Sequence, residues 1–133
     1  MSRYVPYHAE SQVMARQLCA GVRDPAERYR IITGYVTRNF QYDYIRAAKI
    51  AKLKGQYPDV DGCWKTHMGV CMDTAALTVG MLRAVGIRCY LCIGHAGAAY
   101  HAWVQAYIGG KVLLYDHDNQ AKLPVKYTME KHY

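Results

Sequence analysis

Residues 69–86 of the chain read GVCMDTAALTVGMLRAVG, and this stretch decides the fold because it predicts one long apolar helix. Leu77, Met81 and Val85 recur every four residues, which is typical of a helix face that packs into a protein core. Gly86 predicts the end of the helix, since glycine adopts positive φ at low cost. The stretch is therefore expected to form the central, buried helix of the domain.

Cys71 lies at the start of this predicted helix. The first N–H groups of a helix have no partner within it, and together with the helix dipole they favour a thiolate over a thiol. A nucleophilic cysteine would be placed in this position. A free cysteine is more often a small buried hydrophobic residue, so the function of Cys71 depends on what lies near it.

Composition limits the class of protein. The chain has 133 residues, of which 52% are hydrophobic and 20% charged, which indicates one soluble globular domain over residues 1–133. No apolar run approaches the ~20 residues of a membrane helix, and the N-terminus lacks a signal-peptide core. We expect no membrane partner, and either a cytoplasmic protein or a secreted one whose leader was removed. The net charge of +7 is scattered along the chain, so no nucleic-acid partner is expected.

The cysteines allow a second interpretation, a zinc-binding domain. Five is an odd number, so at least one thiol is free unless it bridges to another chain, and we expect the thiols to be mostly reduced. Cys63, His67 and Cys71 are separated from one another by three residues, a spacing that resembles a metal motif. Cys89 and Cys92 could complete the four ligands of such a site. However, Cys89 and Cys92 lie on a predicted strand at a separation that sends them to opposite faces. We therefore expect no metal and no cofactor.

The rest of the chain predicts helices first and strands second. The predicted helices are 10–22, 25–39 with Asp24 as its cap, and 44–54 with Asp43 as its cap, followed by an irregular loop over 56–68. The basic residues of the third helix, Arg46, Lys49, Lys52 and Lys54, are expected to form a solvated face. Strands are predicted over 87–94, 100–108 and 111–116. This order indicates an α+β domain with N-terminal helices packed on an antiparallel sheet.

The last two predicted strands form a hairpin that can supply the partners of a nucleophile. Gly109-Gly110 is a two-residue turn signal, which places Trp103 opposite Asp116. His101 and Asp116 are then diagonal neighbours on one face, roughly 7–8 Å apart at the backbone and within side-chain reach. The same register puts Asp118 opposite His101, so either aspartate can be the residue that orients the imidazole. For the histidine to act as base, this face must also meet the start of the Cys71 helix.

Several segments, in this order, resemble the bacterial transglutaminase-like domains. They are Asp24-Pro25, Tyr42-Asp43-Tyr44, Gly69-Val70-Cys71-Met72-Asp73-Thr74-Ala75, Leu82-Arg83-Ala84-Val85-Gly86-Ile87, His101-Ala102-Trp103-Val104 and Tyr115-Asp116. The resemblance covers about residues 24–118, which is most of the chain. It implies a papain-like cysteine proteinase fold, with the cysteine helix packed on the sheet.

The resemblance also implies a catalytic triad: Cys71 as nucleophile, His101 as acid and base, and Asp116 as the group that orients His101. The family includes cross-linking acyltransferases, peptidases, amide hydrolases and inactive members, and none needs a metal at the catalytic centre. The expected function is that of a cysteine-dependent amide hydrolase or acyltransferase. It would act on a protein or peptide substrate and form a thioester between the substrate's acyl group and its own Cys71. A non-catalytic binding module that retains the fold is the alternative.

The sequence departs from the family pattern near the site. His117-Asp118 follows Asp116 where the family often has Pro-Thr, which keeps the choice between the two aspartates open. Lys65 stands about where papain-like peptidases have a glutamine that stabilises the oxyanion. Trp64 is a candidate indole donor for that role, and the backbone N–H of Cys71 is the other donor. Trp103 is expected to shield the ion pair or to fill the core. Both Trp64 and Trp103 are candidate substrate-binding residues.

Overall fold

The structure, a computed structural model, describes residues 2–50, 55–119 and 124–133. Helices dominate the first two thirds of the chain and a sheet forms the last third. The elements are α1 (Ala9–Leu18), α2 (Pro25–Asn39), β1 (Gln41–Tyr42), α3 (Tyr44–Lys49), α4 (Val60–Thr66), β2 (Met68–Gly69), α5 (Cys71–Ala84), β3 (Arg88–Ala96), β4 (Ala99–Ile108), β5 (Lys111–Tyr115), a 3-10 turn (His117–Asn119) and β6 (Tyr127–His132).

Helix α5 forms the centre of the fold. It packs against α1, α2 and α4 on one side and against β3 and β4 on the other. Every residue from 72 to 79 is buried, together with Met81 and Leu82, so the helix is apolar on nearly all faces. The prediction of a buried helix that begins at Cys71 is confirmed. Neither α5 nor any other helix in the described part of the chain is long and apolar enough to cross a membrane.

The sheet has four antiparallel strands in the order β5-β4-β3-β6. Gly109 and Gly110 have φ of 59° and 76°, which a two-residue turn of this kind requires and glycine adopts without a Cβ clash. Ile108 therefore pairs with Lys111, as predicted. Strand β6 was not predicted, because its six residues are mostly polar and exposed and show no clear alternation.

The α+β class is confirmed, and several element boundaries differ from the prediction. Helix α1 ends at Leu18 rather than at 22, and α3 ends at Lys49. Residues 51–54, which were predicted to extend α3, lie outside the described residues. The loop predicted over 56–68 is wrong, since Val60–Thr66 forms α4. The Asp59 carboxylate accepts the Gly62 N–H at 2.9 Å, so a residue that reads as a turn signal is a helix cap.

Helix α2 follows the local sequence rules closely. The Asp24 carboxylate accepts the Ala26 N–H, and Pro25 occupies the first helical position. Ile32, Val36 and Phe40 are buried, as expected from their spacing. The prediction for this segment is confirmed at both ends.

Asp73 lies in the first turn of α5, and its carboxylate is 1% exposed. One oxygen, Oδ2, accepts the Val70 N–H at 2.9 Å and Arg46 Nε at 2.8 Å. The other oxygen, Oδ1, accepts the Asp59 N–H at 2.9 Å and Arg46 Nη2 at 3.1 Å. The buried charge is thus paired and hydrogen-bonded. The prediction that Arg46 belongs to a solvated face is therefore wrong. Lys52 and Lys54 of that predicted face lie outside the described residues.

Replacing Arg46 by methionine is expected to lower the free energy of unfolding by about 3–5 kcal/mol, because the Asp73 carboxylate would remain buried without its cation. Arg30→Met is a matched control, since Arg30 forms an exposed ion pair with Glu27 at 2.6 Å. That variant should lose less than about 1 kcal/mol. Urea unfolding followed by circular dichroism measures both. Equal losses in the two variants would show that the Asp73 contacts do not stabilise the fold in this way.

Candidate active site

Cys71 is the first residue of α5, and its side chain is half-buried. The body of the helix packs above the residues of β4 that point into the core, such as Ala102 and Val104. His101 lies at the start of β4 on the other side of that strand. One of its ring nitrogens nevertheless lies within 4.8 Å of Cys71 Sγ. The start of α5 therefore lies beside the His101 imidazole, which is the arrangement predicted for a histidine that acts as the base of Cys71.

His101 Nε2 lies 3.0 Å and 2.9 Å from the two carboxylate oxygens of Asp116. Val104 pairs with Tyr115, so Asp116 follows the last paired residue of β5 and lies diagonally from His101. The predicted register, and with it the predicted proximity of these two side chains, is confirmed. Because Nε2 contacts Asp116, the nitrogen left to face Cys71 is Nδ1.

Asp116 has further donors that hold its carboxylate in place. Tyr127 donates its hydroxyl to Oδ2 at 2.7 Å, and the backbone N–H of Asp118 donates to Oδ1 at 3.1 Å. Tyr127 belongs to β6, the strand that the sequence analysis missed. No local pattern in the sequence therefore points to Tyr127 as a site residue.

Asp118 does not take the position predicted for it. Strand β5 ends at Tyr115, and residues 117–119 form the 3-10 turn, so Asp118 is not paired across a ladder from His101. The His101 imidazole is instead bonded to Asp116. The Asp118 carboxylate lies 3.6 Å from His117 Nδ1, and one of its oxygens is within 4.8 Å of both Cys71 Sγ and a His101 nitrogen.

The charge of the site follows from this arrangement. Burial lowers the pKa of His101, but the hydrogen bonds and charges of Asp116 and Cys71 outweigh burial and raise the pKa to about 10. Burial raises the pKa of Asp116, but its contacts with His101 and Tyr127 outweigh that effect, so the net shift is downward. The imidazole is therefore positively charged and the carboxylate negatively charged over the neutral pH range.

The zinc set considered from spacing is not brought together. All five cysteines are free thiols. Burial raises the pKa of Cys63 to about 12 and those of Cys89 and Cys92 to about 11, and it raises the pKa of Cys19 as well. Within the described ranges, the groups close enough to share an ion are Cys71, His101 and Asp118, and His8, Glu10 and Asp61. Cys71 differs from the other thiols in its exposure and in its histidine neighbour.

Trp64 and Trp103 were predicted to bind substrate. Trp64 packs in an aromatic cluster with Tyr35 and Phe40, and none of its ring contacts in the described structure is with Cys71 or His101. Lys65, the residue in the papain glutamine position, forms a surface ion pair with Asp61 at 2.9 Å.

Trp103 is 1% exposed and lies beside the imidazole of His101, with ring centroids 6.4 Å apart. Tyr127 covers it at 5.0 Å. Its Nε1 has no hydrogen-bond partner among the described residues. This placement favours a shielding role in the core behind the His101–Asp116 pair.

Tyr42 is a site residue that the sequence analysis did not single out. It pairs with Gly69 in the short parallel ladder of β1 and β2, two residues before Cys71. Burial raises the pKa of Tyr42, and the negative charges of Asp118 and Cys71 raise it further. Its hydroxyl is therefore a neutral hydrogen-bond donor, and Tyr42 lines the same cavity as Asp118. The Tyr42-Asp43-Tyr44 segment carried a signal, but only as part of the family resemblance.

Two cavities adjoin the site. One of about 430 Å³ is lined by Tyr42 and Asp118, with Arg38 and Gln41 at its rim. A larger one of about 680 Å³ lies between α2 and the far side of Asp116, and Tyr127 also lines it. The smaller cavity is therefore the better candidate for a substrate cleft, because Asp118, which lines it, has a carboxylate oxygen within 4.8 Å of Cys71 Sγ.

Comparisons with known proteins agree with this architecture. The profile of the Transglutaminase-like superfamily matches residues 12–117. A candidate cysteine protease from Cytophaga hutchinsonii superposes with a TM-score of 0.67 at 23% identity, and a candidate protease from Parabacteroides distasonis with 0.62 at 22%. A TGase superposes with a TM-score of 0.62 at 14% identity. These similarities show the fold. No curated protein matches the chain.

The solved structures are longer than this chain. The alignments cover 89%, 81% and 90% of this chain, but only 39%, 23% and 32% of the three proteins in the same order. The chain thus corresponds to less than two fifths of each neighbour.

The charge of His101 gives a direct test of the Asp116 contact. An NMR titration of the imidazoles should place the pKa of His101 near 10, and Asp116→Asn should lower it, because the variant removes a carboxylate that stabilises the charged ring.

The pKa of His101 is raised from about 6.5, so the stability that the His101–Asp116 pair contributes is fully present below pH ~6.5 and is lost as the pH rises through about 10.

Asp118→Asn is the matched control and should change the pKa of His101 much less than Asp116→Asn does. A larger decrease in the Asp118 variant would show that Asp118, not Asp116, is the main partner of the imidazole in solution.

Proposed function

Because the chain belongs to the transglutaminase-like superfamily, we propose that it is a cysteine-dependent amide hydrolase or acyltransferase that works through a thioester on Cys71. The fold is the papain-like α+β fold of its structural neighbours. The observation that carries the proposal is the line of three groups, with Cys71 Sγ within 4.8 Å of a His101 nitrogen and His101 Nε2 2.9 Å from Asp116. This order of nucleophile, base and orienting carboxylate is what acyl transfer needs.

The first half of the reaction acylates the cysteine. The Cys71 thiolate attacks the carbonyl carbon of a carboxamide, and a C–S bond forms while the carbonyl oxygen becomes an oxyanion. The oxyanion collapses, the C–N bond breaks, and charged His101 donates its proton to the departing amine. A thioester on Cys71 and a neutral His101 remain, and Asp116 holds the imidazole in the orientation that the transfer requires.

The second half releases the acyl group. Neutral His101 accepts a proton from a water molecule or from a second amine as that nucleophile attacks the thioester carbon. The C–S bond then breaks, which regenerates the thiolate and the charged imidazole. Water gives a hydrolase and an amine gives a transferase, and the triad serves both.

Two donors are available for the oxyanion. The N–H of Cys71 belongs to the first turn of α5, where backbone N–H groups lack helical acceptors. The Tyr42 hydroxyl is the second donor in this proposal, because the β1–β2 ladder holds Tyr42 beside Gly69. Tyr42 takes the place considered for Trp64, whose ring packs in the aromatic cluster.

The substrate in this proposal is a protein or peptide. The cavity of about 430 Å³ beside Tyr42 and Asp118 is open and partly polar, which suits a side-chain or main-chain amide that approaches from solvent.

Cys71 is expected to react with iodoacetamide at pH 6 faster than any of the other four cysteines, because its side chain is accessible and paired with charged His101. Peptide mapping by mass spectrometry measures the rate at each thiol. His101→Ala should slow alkylation of Cys71 and leave Cys19 and Cys63 unchanged.

The activity itself is tested with a peptide library scored for amide cleavage and for amine incorporation, with Cys71→Ala as the control. We expect turnover of one kind in the parent and none in the variant. Alkylation of Cys71 no faster than that of the buried thiols, together with no turnover, would favour the binding module that retains the fold.

Tyr42→Phe is expected to lower kcat by about 10²-fold, the usual cost of removing one oxyanion donor, with little change in alkylation of Cys71. Tyr44→Phe is the matched control, because Tyr44 is 76% exposed and contacts Tyr42 only through its ring. Steady-state kinetics on the best library peptide measures both variants. Equal rates for Tyr42→Phe and the parent would remove Tyr42 from the mechanism.

A further inference from the structure

We propose that Cys71, His101 and Asp118 form a binding site for one Zn²⁺ ion, and that bound zinc blocks the nucleophile. The binding site rests on the geometry alone, whereas the block rests on the proposed function. Asp118 is the distinctive part of the site, because Asp116 alone orients the imidazole and leaves Asp118 without a role in the triad.

The three ligand atoms are the type that zinc prefers and are already close together. Cys71 Sγ, a His101 nitrogen and an Asp118 carboxylate oxygen all lie within 4.8 Å of one another. A tetrahedral zinc ion holds sulfur, nitrogen and oxygen ligands at about 2.0–2.3 Å, which puts the ligand atoms roughly 3–4 Å apart. A contraction of about an ångström therefore completes three corners of a tetrahedron. A water molecule can take the fourth.

The imidazole is oriented as a zinc ligand would be. His101 Nε2 contacts the Asp116 carboxylate at 2.9 Å, which leaves Nδ1 for the ion. Histidine ligands usually bond a carboxylate through their second nitrogen, and this contact sets the ring orientation and strengthens the ligand. Asp116 therefore serves as the outer partner of the metal site with no change of position.

Asp118 is held close to the sulfur by its backbone. Its N–H donates to Asp116 Oδ1 at 3.1 Å, and the Asn119 N–H donates to the Asp116 carbonyl at 3.1 Å. His117, in the same 3-10 turn, is buried and its Nε2 lies 2.8 Å from the Phe40 carbonyl. The turn is therefore anchored on both sides of Asp118, whose side chain is 19% exposed and lies 3.6 Å from His117 Nδ1. A ligand on an anchored turn loses less conformational freedom on binding than one on a loose loop.

The charges of the three side chains also match the ion. A Cys71 thiolate and the Asp118 carboxylate together carry two negative charges, and the His101 imidazole releases its proton to solvent when it ligates the ion, so the complex with Zn²⁺ is neutral. Thiolate and imidazole ligands favour zinc over calcium or magnesium, which prefer oxygen ligands throughout. Zinc is therefore the ion that this set selects.

The experiment measures metal binding by the full chain, first stripped of metal and kept reduced. Zinc binding is followed by competition with a chromophoric chelator, and Co²⁺ is used as a spectroscopic probe of the same site. We expect one ion per chain and a near-ultraviolet sulfur-to-cobalt charge-transfer band, which Cys71→Ser abolishes. We also expect zinc to protect Cys71 from iodoacetamide in the parent.

Asp118→Asn should weaken zinc binding by at least about 10-fold, the lower end of the loss seen even for outer ligand partners. Asp118→Glu, which keeps a carboxylate, should retain part of the affinity. Asp61→Asn is the matched control, because Asp61 belongs to the other described group of potential ligands, with His8 and Glu10. It should leave both the affinity and the charge-transfer band unchanged.

Equal zinc affinity in Asp118→Asn and the parent would overturn the proposal, as would one bound ion that survives Cys71→Ser unchanged. A decrease caused by Asp61→Asn alone would place the ion at the other group and would also overturn it. Failure here is distinguishable from failure of the proposed function, because turnover and alkylation are measured in metal-free protein. Active protein that binds no zinc rejects only this site, and inactive protein that binds zinc through these ligands rejects only catalysis.

Discussion

The rest of the structure depends on a carboxylate that is buried at the start of the central helix. Asp73 is 1% exposed, and a charge in that environment is tolerated only if every donor around it is retained. Its donors are Arg46 from α3 and the N–H groups of Asp59 and Val70. The Asp73 side chain thus holds together α3, the segment before α4 and the turn that precedes Cys71.

This constraint explains the sequence around the nucleophile. A Cβ at Gly69 would lie 2.9 Å from Asp73 Cβ and 2.9 Å from Cys63 Sγ, so only glycine allows the chain to pass this close to the carboxylate. The Asp43 N–H donates to the Gly69 carbonyl at 3.0 Å, which keeps Tyr42 beside the same turn. The position of Cys71 is therefore set by buried polar contacts and close packing on the side away from the sheet.

The sheet sets the other half of the site by a different kind of constraint. A two-residue turn determines which residues of β4 and β5 face each other, and a one-residue change would send His101 and Asp116 to opposite faces. Tyr127 then adds a hydroxyl from β6, and the Asp118 N–H adds a backbone donor. The carboxylate of Asp116 is consequently shared by three segments, whereas the Asp118 carboxylate lies beside His117 Nδ1 and within 4.8 Å of the Cys71 sulfur.

Local patterns in the sequence determined the buried helix that begins at Cys71, the capped helix after Asp24, and the hairpin register that brings His101 to Asp116. These features depend on residues close in the chain, where period, cap and turn length act directly. The tertiary structure alone decided that Arg46 pairs with Asp73, 27 residues away, rather than facing solvent. It likewise decided that Asp118 lies on a 3-10 turn, and that Tyr42 and Tyr127 reach the site. Contacts of this kind form when distant segments pack together, and no period or spacing in the sequence encodes which pairs will meet.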